Sequence, residues 1–124
     1  MPRVRRVLVA DDEPHIGRVL QVRLEANHFV VKVARDGEEA LAILRSDQPL
    51  DLVLLDLMMP GRSGLDVLAE LRRLPARKGL PVIVLTAKGE ERDRARALAL
   101  GATDFITKPF SPKKLAARID ELVP

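Results

Sequence analysis

The chain contains no cysteine, no tryptophan and no tyrosine. Without cysteine there can be no disulfide, thiolate metal site or cysteine nucleophile, and this absence fits a reducing compartment without proving one. The only aromatic side chains are Phe29, Phe105 and Phe110, so the chain lacks the stacking platforms that bind single-stranded nucleic acids. Thiol chemistry and base stacking are therefore outside its repertoire.

Long apolar runs are also missing. The run Val7 to Ala10, which follows the N-terminal arginines, ends at Asp11 and Asp12 and is too short for the core of a signal peptide. No segment approaches the ~20 apolar residues that a membrane span needs. The sequence therefore predicts a cytoplasmic protein with no membrane partner.

Charge of one sign is not concentrated anywhere. The 21 basic and 18 acidic residues leave a net charge of +3, and the basic residues are scattered. Binding to nucleic acid would call for a dense basic stripe or a recognition motif, so we expect solvated helix faces and no direct nucleic-acid binding. The length of 124 residues and the 47% hydrophobic content fit one domain with a sizeable core.

Short apolar runs alternate with helical patterns along the chain. Strands are predicted at 7–10, 29–34, 52–56, 82–86 and 104–107, and helices at 14–26, after Asp36, after Ser63, at about 90–100 and from Pro112. Pro75 is predicted to end the third helix, and Gly101 to end the fourth. Lys32 interrupts the second strand, which suits an edge position. This alternation predicts an α/β domain whose parallel sheet is covered on both faces.

Polar side chains stand at the end of four of the predicted strands. They are Asp11 and Asp12, then Asp56, Thr86 and Lys108. In open parallel sheets, ligands bind beyond the carboxyl ends of the strands. Asp12 taken alone could simply cap the first helix, but a chance gathering of the whole set at one edge is improbable.

The residue types in this set indicate phosphoryl transfer. Crowded carboxylates repel one another, and oxygen ligands of this kind suit a hard cation such as Mg²⁺. Lys108 adds a fixed positive charge and Thr86 a hydroxyl donor. Carboxylates can act as nucleophiles that form acyl phosphates, while a metal ion and a lysine stabilise the transferring oxygens.

The ordered set resembles the receiver domains of two-component response regulators, the CheY-like group. The resemblance covers essentially the whole chain and rests on the acidic pair, on LLDLMMPG, on VLTAKG and on DFITKPF. The segments 86–102 and 107–119 are most similar to the transcription-factor branch (PhoB/OmpR-like). The resemblance implies a flavodoxin-like three-layer sandwich, (βα)5 with strand order 2-1-3-4-5. It also implies one receiver domain over residues 1–124, with no output domain in this chain.

The resemblance implies a phosphoacceptor and a metal site. Asp56 would take a phosphoryl group from a sensor histidine kinase, a phosphotransfer protein or a small donor such as acetyl phosphate. Asp12 and Asp56 would ligate Mg²⁺ directly, Asp11 through water, and Met58 through its backbone carbonyl, with Mn²⁺ as the alternative metal. The chain would be a signalling domain and not an enzyme beyond its own Mg²⁺-dependent phosphorylation and dephosphorylation.

The resemblance also implies a switch. Lys108, aimed by a cis bond to Pro109, would pair with Asp56 and then with the phosphoryl group. The Thr86 hydroxyl and the Ala87 N–H would bind phosphoryl oxygens, and the surface of helix 4, strand 5 and helix 5 would control an output domain or protein. Phe105 stands at the position of the switch aromatic, although a plain core role is an equal alternative.

Two variable positions flank the site: Met58, two residues after Asp56, and Lys88, two residues after Thr86. Neither side chain is a carboxylate or an amide that could orient an attacking water. We therefore expect slow self-dephosphorylation, with a lifetime well beyond seconds. The alternative is that both residues only shape the rim of the site.

The charges expected at the dimer interface of the transcription-factor branch are partly wrong here. Arg94 would face Lys114, and like charges weaken an interface. The other departures are Ala99, Thr103 and Asp120, whereas Asp104 and Arg118 match the pattern. We expect a monomer or a weak dimer, with any dimerisation dependent on phosphorylation.

Other functions fit the sequence less well. A haloacid-dehalogenase-type phosphatase would carry a second Asp two residues after a nucleophile on the first strand, where this chain has Met58 and a nucleophile on the third. Nucleotide sites are disfavoured because GxGxxG and GxxxxGK are absent. A phosphorylation-independent, receiver-like interaction module is the main alternative, but such modules usually lose an acid, the Thr or the Lys.

Overall fold

Five parallel strands form a single sheet in the order β2-β1-β3-β4-β5. The computed structural model of the chain describes residues 4–87 and 89–124. The strands are β1 (Arg5–Ala10), β2 (Phe29–Ala34), β3 (Leu52–Asp56), β4 (Val82–Thr86) and β5 (Asp104–Thr107). The predicted strand order is confirmed, and β2, which carries Lys32, lies at an edge of the sheet as expected.

Helices cover both faces of the sheet. They are α1 (Pro14–Ala26), α2 (Gly37–Arg45), α3 (Gly64–Leu71), α4 (Glu91–Ala99) and α5 (Pro112–Leu122). Alternate residues of a strand point to opposite faces, so Val53 and Leu55 join one core with α2, α3 and α4. Leu52 and Leu54 join the other core with α1 and α5. The central strands are therefore buried on both sides, which explains their unbroken apolar runs.

Three of the helix starts are capped as the sequence indicates. The side chain of Asp36 accepts a hydrogen bond from Glu39 N at 2.8 Å, and that of Ser63 accepts one from Asp66 N at 3.2 Å. The Ser63 N–H in turn donates to Asp66 Oδ2 at 3.3 Å, which completes a capping box. Ser111 caps α5 in the same manner, with Pro112 in the first turn.

One expectation about a helix end is wrong. Pro75 does not end α3, which stops at Leu71; instead it opens a short 3-10 helix, Pro75–Arg77. The chain leaves α3 through tighter turns, because Leu74 N bonds the Leu71 carbonyl at 3.1 Å. The alternative in which Asp12 caps α1 does not hold, since the cap position belongs to Glu13. Asp12 is thus left for another role.

A buried arginine that the sequence did not reveal supports the end of α2. Arg77 is only 7% exposed, and its guanidinium donates to the carbonyls of Leu44 at 3.0 Å, Ser46 at 3.0 Å and Gln48 at 2.7 Å. Because the last carbonyls of a helix lack partners within it, this side chain satisfies them and fixes the approach to β3.

Among residues 4–87 and 89–124, no helix is both long enough and apolar enough to cross a bilayer.

Candidate functional site

The carboxyl edge of the sheet brings the predicted polar residues together. Asp11 follows β1, and Asp56 and Thr86 end β3 and β4, which are neighbours in the sheet. All three side chains are buried: Asp11 is 1% exposed, Asp56 5% and Thr86 1%. Polar groups that are buried at this depth are costly unless they have partners, so this edge requires compensating charges or donors.

One part of the edge is an acidic trio, composed of Asp11, Asp12 and Asp56. Each residue offers a carboxylate oxygen that lies within 4.8 Å of the others. Asp11 Oδ1 accepts a hydrogen bond from Glu13 N at 2.9 Å. Asp11 Oδ2 is buried and has no well-aligned hydrogen-bond donor within the described part of the chain, although Lys108 Nζ lies 3.1 Å away as an ion-pair partner. Such a carboxylate oxygen beside two more carboxylates fits a hard divalent cation such as Mg²⁺.

Lys108 supplies the positive charge that faces this trio. Its Nζ lies 3.1 Å from Asp11 Oδ2 and 3.2 Å from Asp56 Oδ2. Burial alone would lower the lysine pKa, but the surrounding carboxylates, with Glu13 first among them, raise it above its ordinary value. The Lys108–Pro109 bond is cis, as expected. The ammonium is therefore a fixed charge at neutral pH.

Asp56 resists ionisation in the metal-free protein. Its pKa is raised from 3.8 to about 7, chiefly by burial and in smaller part by the nearby Asp11. The Met58 N–H, which donates to Asp56 Oδ1 at 3.0 Å, and Lys108 act in the opposite direction. Cations bind the charged form, so a metal at the trio would favour the carboxylate that a nucleophile requires.

The hydroxyl of Thr86 is only loosely engaged. Its Oγ1 is 3.5 Å from the hydroxyl of Thr107 on β5, a long distance for a hydrogen bond between hydroxyls. Ala87 follows directly and is exposed, and Lys88 lies outside the described residues. Thr86 therefore has a donor that a ligand at this edge could claim.

Phe105 is half-buried and packs against the core beneath α2, α3 and α4. The guanidinium carbon of Arg94, on α4, lies 4.6 Å from the centre of its ring. A cation over an aromatic face is attracted to it. The ring therefore connects β5 with α4, the two elements expected to form the switch surface together with α5.

Charged residues of that surface are joined within the chain. Arg118 Nε lies 2.7 Å from Asp104 Oδ2, and Arg118 Nη1 lies 2.9 Å from Glu121 Oε2. Asp120 pairs with Arg5 at 2.8 Å. The two residues that match the branch pattern, Asp104 and Arg118, are thus already partners of each other.

The site contains one residue that sequence reasoning missed. Glu13 Oε1 accepts a hydrogen bond from Lys108 Nζ at 3.1 Å, which places a third carboxylate, after those of Asp11 and Asp56, at the same lysine. The available signal was the run of acids from Asp11 to Glu13 after β1. Its third member was overlooked because only its rotamer, and not its position in the chain, brings it to Lys108.

Comparison with known families and sequences gives a consistent result. Residues 7–120 match the family described as the response regulator receiver domain. The phosphate regulon transcriptional regulatory protein PhoB of Escherichia coli (strain K12) is 48% identical over 115 residues, which are 93% of this chain and 50% of that protein. The chain spans about half the length of the curated relatives that it matches.

Solved structures agree with the sequence comparison. A response regulator from Chloroflexus aurantiacus superposes with a TM-score of 0.89 at 30% identity, covering 97% of this chain and 98% of that one. The chemotaxis protein CheY4 of Vibrio cholerae gives a TM-score of 0.90 at 27% identity, covering 98% and 100%. The family match, the sequence relative and the solved structures reported above are thus all receiver domains or response regulators, in agreement with the sheet order and with the polar residues at its carboxyl edge.

Proposed function

The chain belongs to the response regulator receiver domain family, and from this premise we propose that it accepts a phosphoryl group on Asp56. The donor is the phosphohistidine of a sensor histidine kinase or phosphotransfer protein, or a small acyl phosphate. The observation that carries the proposal is the convergence of the acidic trio, Lys108 and Thr86 at one buried edge. Residues 1–124 would act as one receiver domain in the cytoplasm.

The chemistry assigns a role to each residue. A carboxylate oxygen of Asp56 attacks phosphorus, and an O–P bond forms. The bond from phosphorus to the donor's nitrogen or oxygen breaks, and that atom leaves with the electron pair. Lys108 pairs first with the Asp56 carboxylate and then with the phosphoryl oxygens. The Thr86 hydroxyl and the Ala87 N–H donate hydrogen bonds to the same oxygens.

A metal ion completes the site. Mg²⁺, or Mn²⁺ in its place, would be held directly by Asp12, Asp56 and the Met58 carbonyl, and by Asp11 through water. When bound, it supplies positive charge to the phosphoryl oxygens and neutralises the trio. The grouping of the three carboxylates supports this assignment, as does the buried Asp11 Oδ2, which has no well-aligned hydrogen-bond donor among the described residues.

Elements near Thr86 could transmit phosphorylation to the surface that controls the output. Its attraction to the phosphoryl group would pull on β4, and Phe105 with Arg94 would pass the change to the surface of α4, β5 and α5. A local charge event that biases a two-state surface is ordinary switch behaviour. That surface would then control an output domain or a separate protein.

A direct test is incubation with acetyl phosphate and Mg²⁺, followed by intact mass measurement. We expect a gain of one phosphoryl group that is lost in Asp56→Asn. Asp47→Asn is the matched control, because Asp47 is exposed on the surface beyond α2, and it should keep the gain. An unmodified mass with small donors and with a cognate kinase would support the phosphorylation-independent module instead.

The phosphoryl group should persist once it is formed. Met58, which is 61% exposed and lies two residues after Asp56, has no polar side-chain group that could orient a water molecule. Lys88 has no acceptor for a water proton. We expect a lifetime well beyond seconds in a phosphate-release assay, and turnover within seconds would contradict this expectation.

A further inference from the structure

Glu13 places a carboxylate beside Lys108 that does not belong to the acidic trio. The three distances from Lys108 Nζ are nearly equal: 3.1 Å to Glu13 Oε1, 3.1 Å to Asp11 Oδ2 and 3.2 Å to Asp56 Oδ2. The Glu13 side chain is 57% exposed, whereas that of Asp56 is 7% exposed. Glu13 is thus the partner that can release the ammonium at little desolvation cost.

Helix capping does not account for this side chain. Glu13 occupies the cap position of α1, yet its carboxylate makes no capping hydrogen bond there. Its backbone N–H instead donates to Asp11 Oδ1 at 2.9 Å, so the same residue contacts the trio through its main chain and Lys108 through its side chain. The placement ties Glu13 to the site rather than to the helix.

We propose that Glu13 is a positioning residue that shares the Lys108 ammonium with the acidic trio. By drawing part of that positive charge away, Glu13 leaves Asp11 and Asp56 more available to a divalent cation. Its own negative charge adds to the attraction for the cation, because opposite charges a few ångströms apart attract even at a partly exposed site. Glu13 therefore raises the affinity of the metal-free protein for Mg²⁺.

The contact between Glu13 and Lys108 should also slow the entry of an anionic phosphodonor. Glu13 stands at the exposed side of Lys108, so a negatively charged donor meets a carboxylate and an ammonium that is partly engaged. Removing the carboxylate charge should ease entry and free Lys108 for the phosphoryl oxygens. This second effect rests on the proposed function, whereas Mg²⁺ affinity and the state of Lys108 are measurable without any phosphorylation.

Two substitutions separate charge from contact. Glu13→Gln keeps the length of the side chain and removes its charge, while Glu13→Asp keeps the charge and shortens the reach by one methylene. Glu25→Gln is the matched control, since Glu25 is an exposed residue near the other end of the same helix. About 18 Å of helix separate the two positions.

For Glu13→Gln we expect opposite effects on two measurements. The dissociation constant for Mg²⁺, measured by calorimetry, should rise about two- to fivefold, the size of one partly exposed charge pair. At saturating Mg²⁺, the rate of phosphorylation by acetyl phosphate should rise by a similar factor. A general structural defect would lower both affinity and rate, so the split identifies a positioning role.

Lysine ammonium resonances provide a readout that needs neither metal nor donor. The ¹⁵N signal of Lys108, assigned by its loss in Lys108→Arg, should shift in Glu13→Gln and in Glu13→Asp but not in Glu25→Gln. Glu13→Asp should keep its Mg²⁺ affinity within about twofold of the wild type, because the charge remains near the trio.

The inference is overturned if the Lys108 signal and the Mg²⁺ affinity are both unchanged in Glu13→Gln. It is also overturned if affinity and phosphorylation rate fall together. Failure of the proposed function gives a different pattern. The wild type would bind Mg²⁺ and the Glu13 variants would show the Lys108 shifts, yet neither the wild type nor any variant would accept a phosphoryl group.

Discussion

At the scale of single residues, the site depends on a carboxylate that the fold makes costly to ionise. Asp56 is 5% exposed and lies beside Asp11, which is itself buried. One ammonium, shared among several acids, offsets only part of this cost. The folded protein therefore holds a poorly compensated charge at the position of the proposed nucleophile, and a divalent cation at the acidic trio would offset it.

The raised pKa of Asp56 makes the stability of the metal-free protein depend on pH. Because its folded-state pKa is about 7 against the ordinary 3.8, the folded protein holds this proton more tightly than the unfolded chain does. The resulting stabilisation is complete below about pH 4 and is lost as the pH rises through about 7.

Asp56→Asn should therefore unfold with nearly the wild-type free energy at about pH 4. At about pH 8 it should be more stable than the wild type by about 1–3 kcal/mol, the cost of a poorly compensated buried polar group. Urea unfolding in the presence of a chelator measures the difference, and excess Mg²⁺ should reduce it. Asp47→Asn, which keeps Asp56, should match the stability of the wild type at both pH values. An Asp56→Asn protein that is less stable than wild type at high pH would contradict the electrostatic assignment.

The sequence predicted most residues of this site because strand ends are readable from apolar runs. Asp11, Asp56 and Thr86 each follow such a run, and parallel strands carry their ends to one edge. Glu13 could not be predicted in the same way, because its contact with Lys108 depends on a side-chain rotamer across 95 positions of sequence. Contacts of that kind are set by tertiary packing, which the spacing of apolar residues in the sequence does not predict.

At the scale of elements, the junction between β3 and α3 holds the nucleophile in place. Gly64 begins α3 directly against the end of β3, and its N–H donates to the Leu57 carbonyl at 2.9 Å. A Cβ at this position would come within 2.2 Å of the Asp56 carbonyl oxygen and 2.6 Å of Leu57 Cα. Only glycine permits the two backbones to approach this closely.

Gly64→Ala should therefore lose about 3 kcal/mol or more of stability, since backbone atoms cannot yield as a flexible side chain would. It should also weaken Mg²⁺ binding, because the displaced segment carries Asp56. Gly79→Ala is the matched control: apart from its chain neighbours, no atom of the described residues lies within 4 Å of its added Cβ, so its unfolding midpoint should stay close to that of the wild type. Equal midpoints for the two variants in chemical denaturation would refute the close-approach argument.

The element boundaries show how far local signals reach. The caps at Asp36, Ser63 and Ser111 were predictable because each side chain bonds a backbone N–H only three residues further along the chain. The end of α3 was not, because its last turn tightens before Pro75 is reached. Arg77 was equally hidden, since its three carbonyl partners lie about 30 positions away in the chain.

At the scale of the whole molecule, the surface of α4, β5 and α5 is poorly suited to a strong symmetric dimer. Arg94 lies over Phe105 and Arg118 is paired with Asp104 within the chain. Lys114 stands where an acid would complement Arg94, so like charges would face each other across the expected interface. An interface that must break internal pairs and tolerate like charges loses affinity.

Sedimentation velocity in the presence of Mg²⁺ and beryllofluoride, a mimic of the phosphoryl group, should therefore show a monomer or weak self-association. Lys114→Glu should strengthen the dimer, by about threefold or more, by restoring an opposite charge to Arg94. Lys113→Glu, which makes the same change one position away on α5, should have a smaller effect. A tight activated dimer of the unaltered chain would show that the charge argument is wrong.

The central claim is that Asp56 itself becomes phosphorylated, and one measurement tests it most directly. The chain is treated with acetyl phosphate and Mg²⁺, reduced with borohydride, which converts an aspartyl phosphate to homoserine, and mapped by peptide mass. We predict reduction at position 56 alone, dependent on Mg²⁺. A phosphoryl adduct located at another residue, or no reduction at position 56 in protein shown to bind Mg²⁺, would contradict the account.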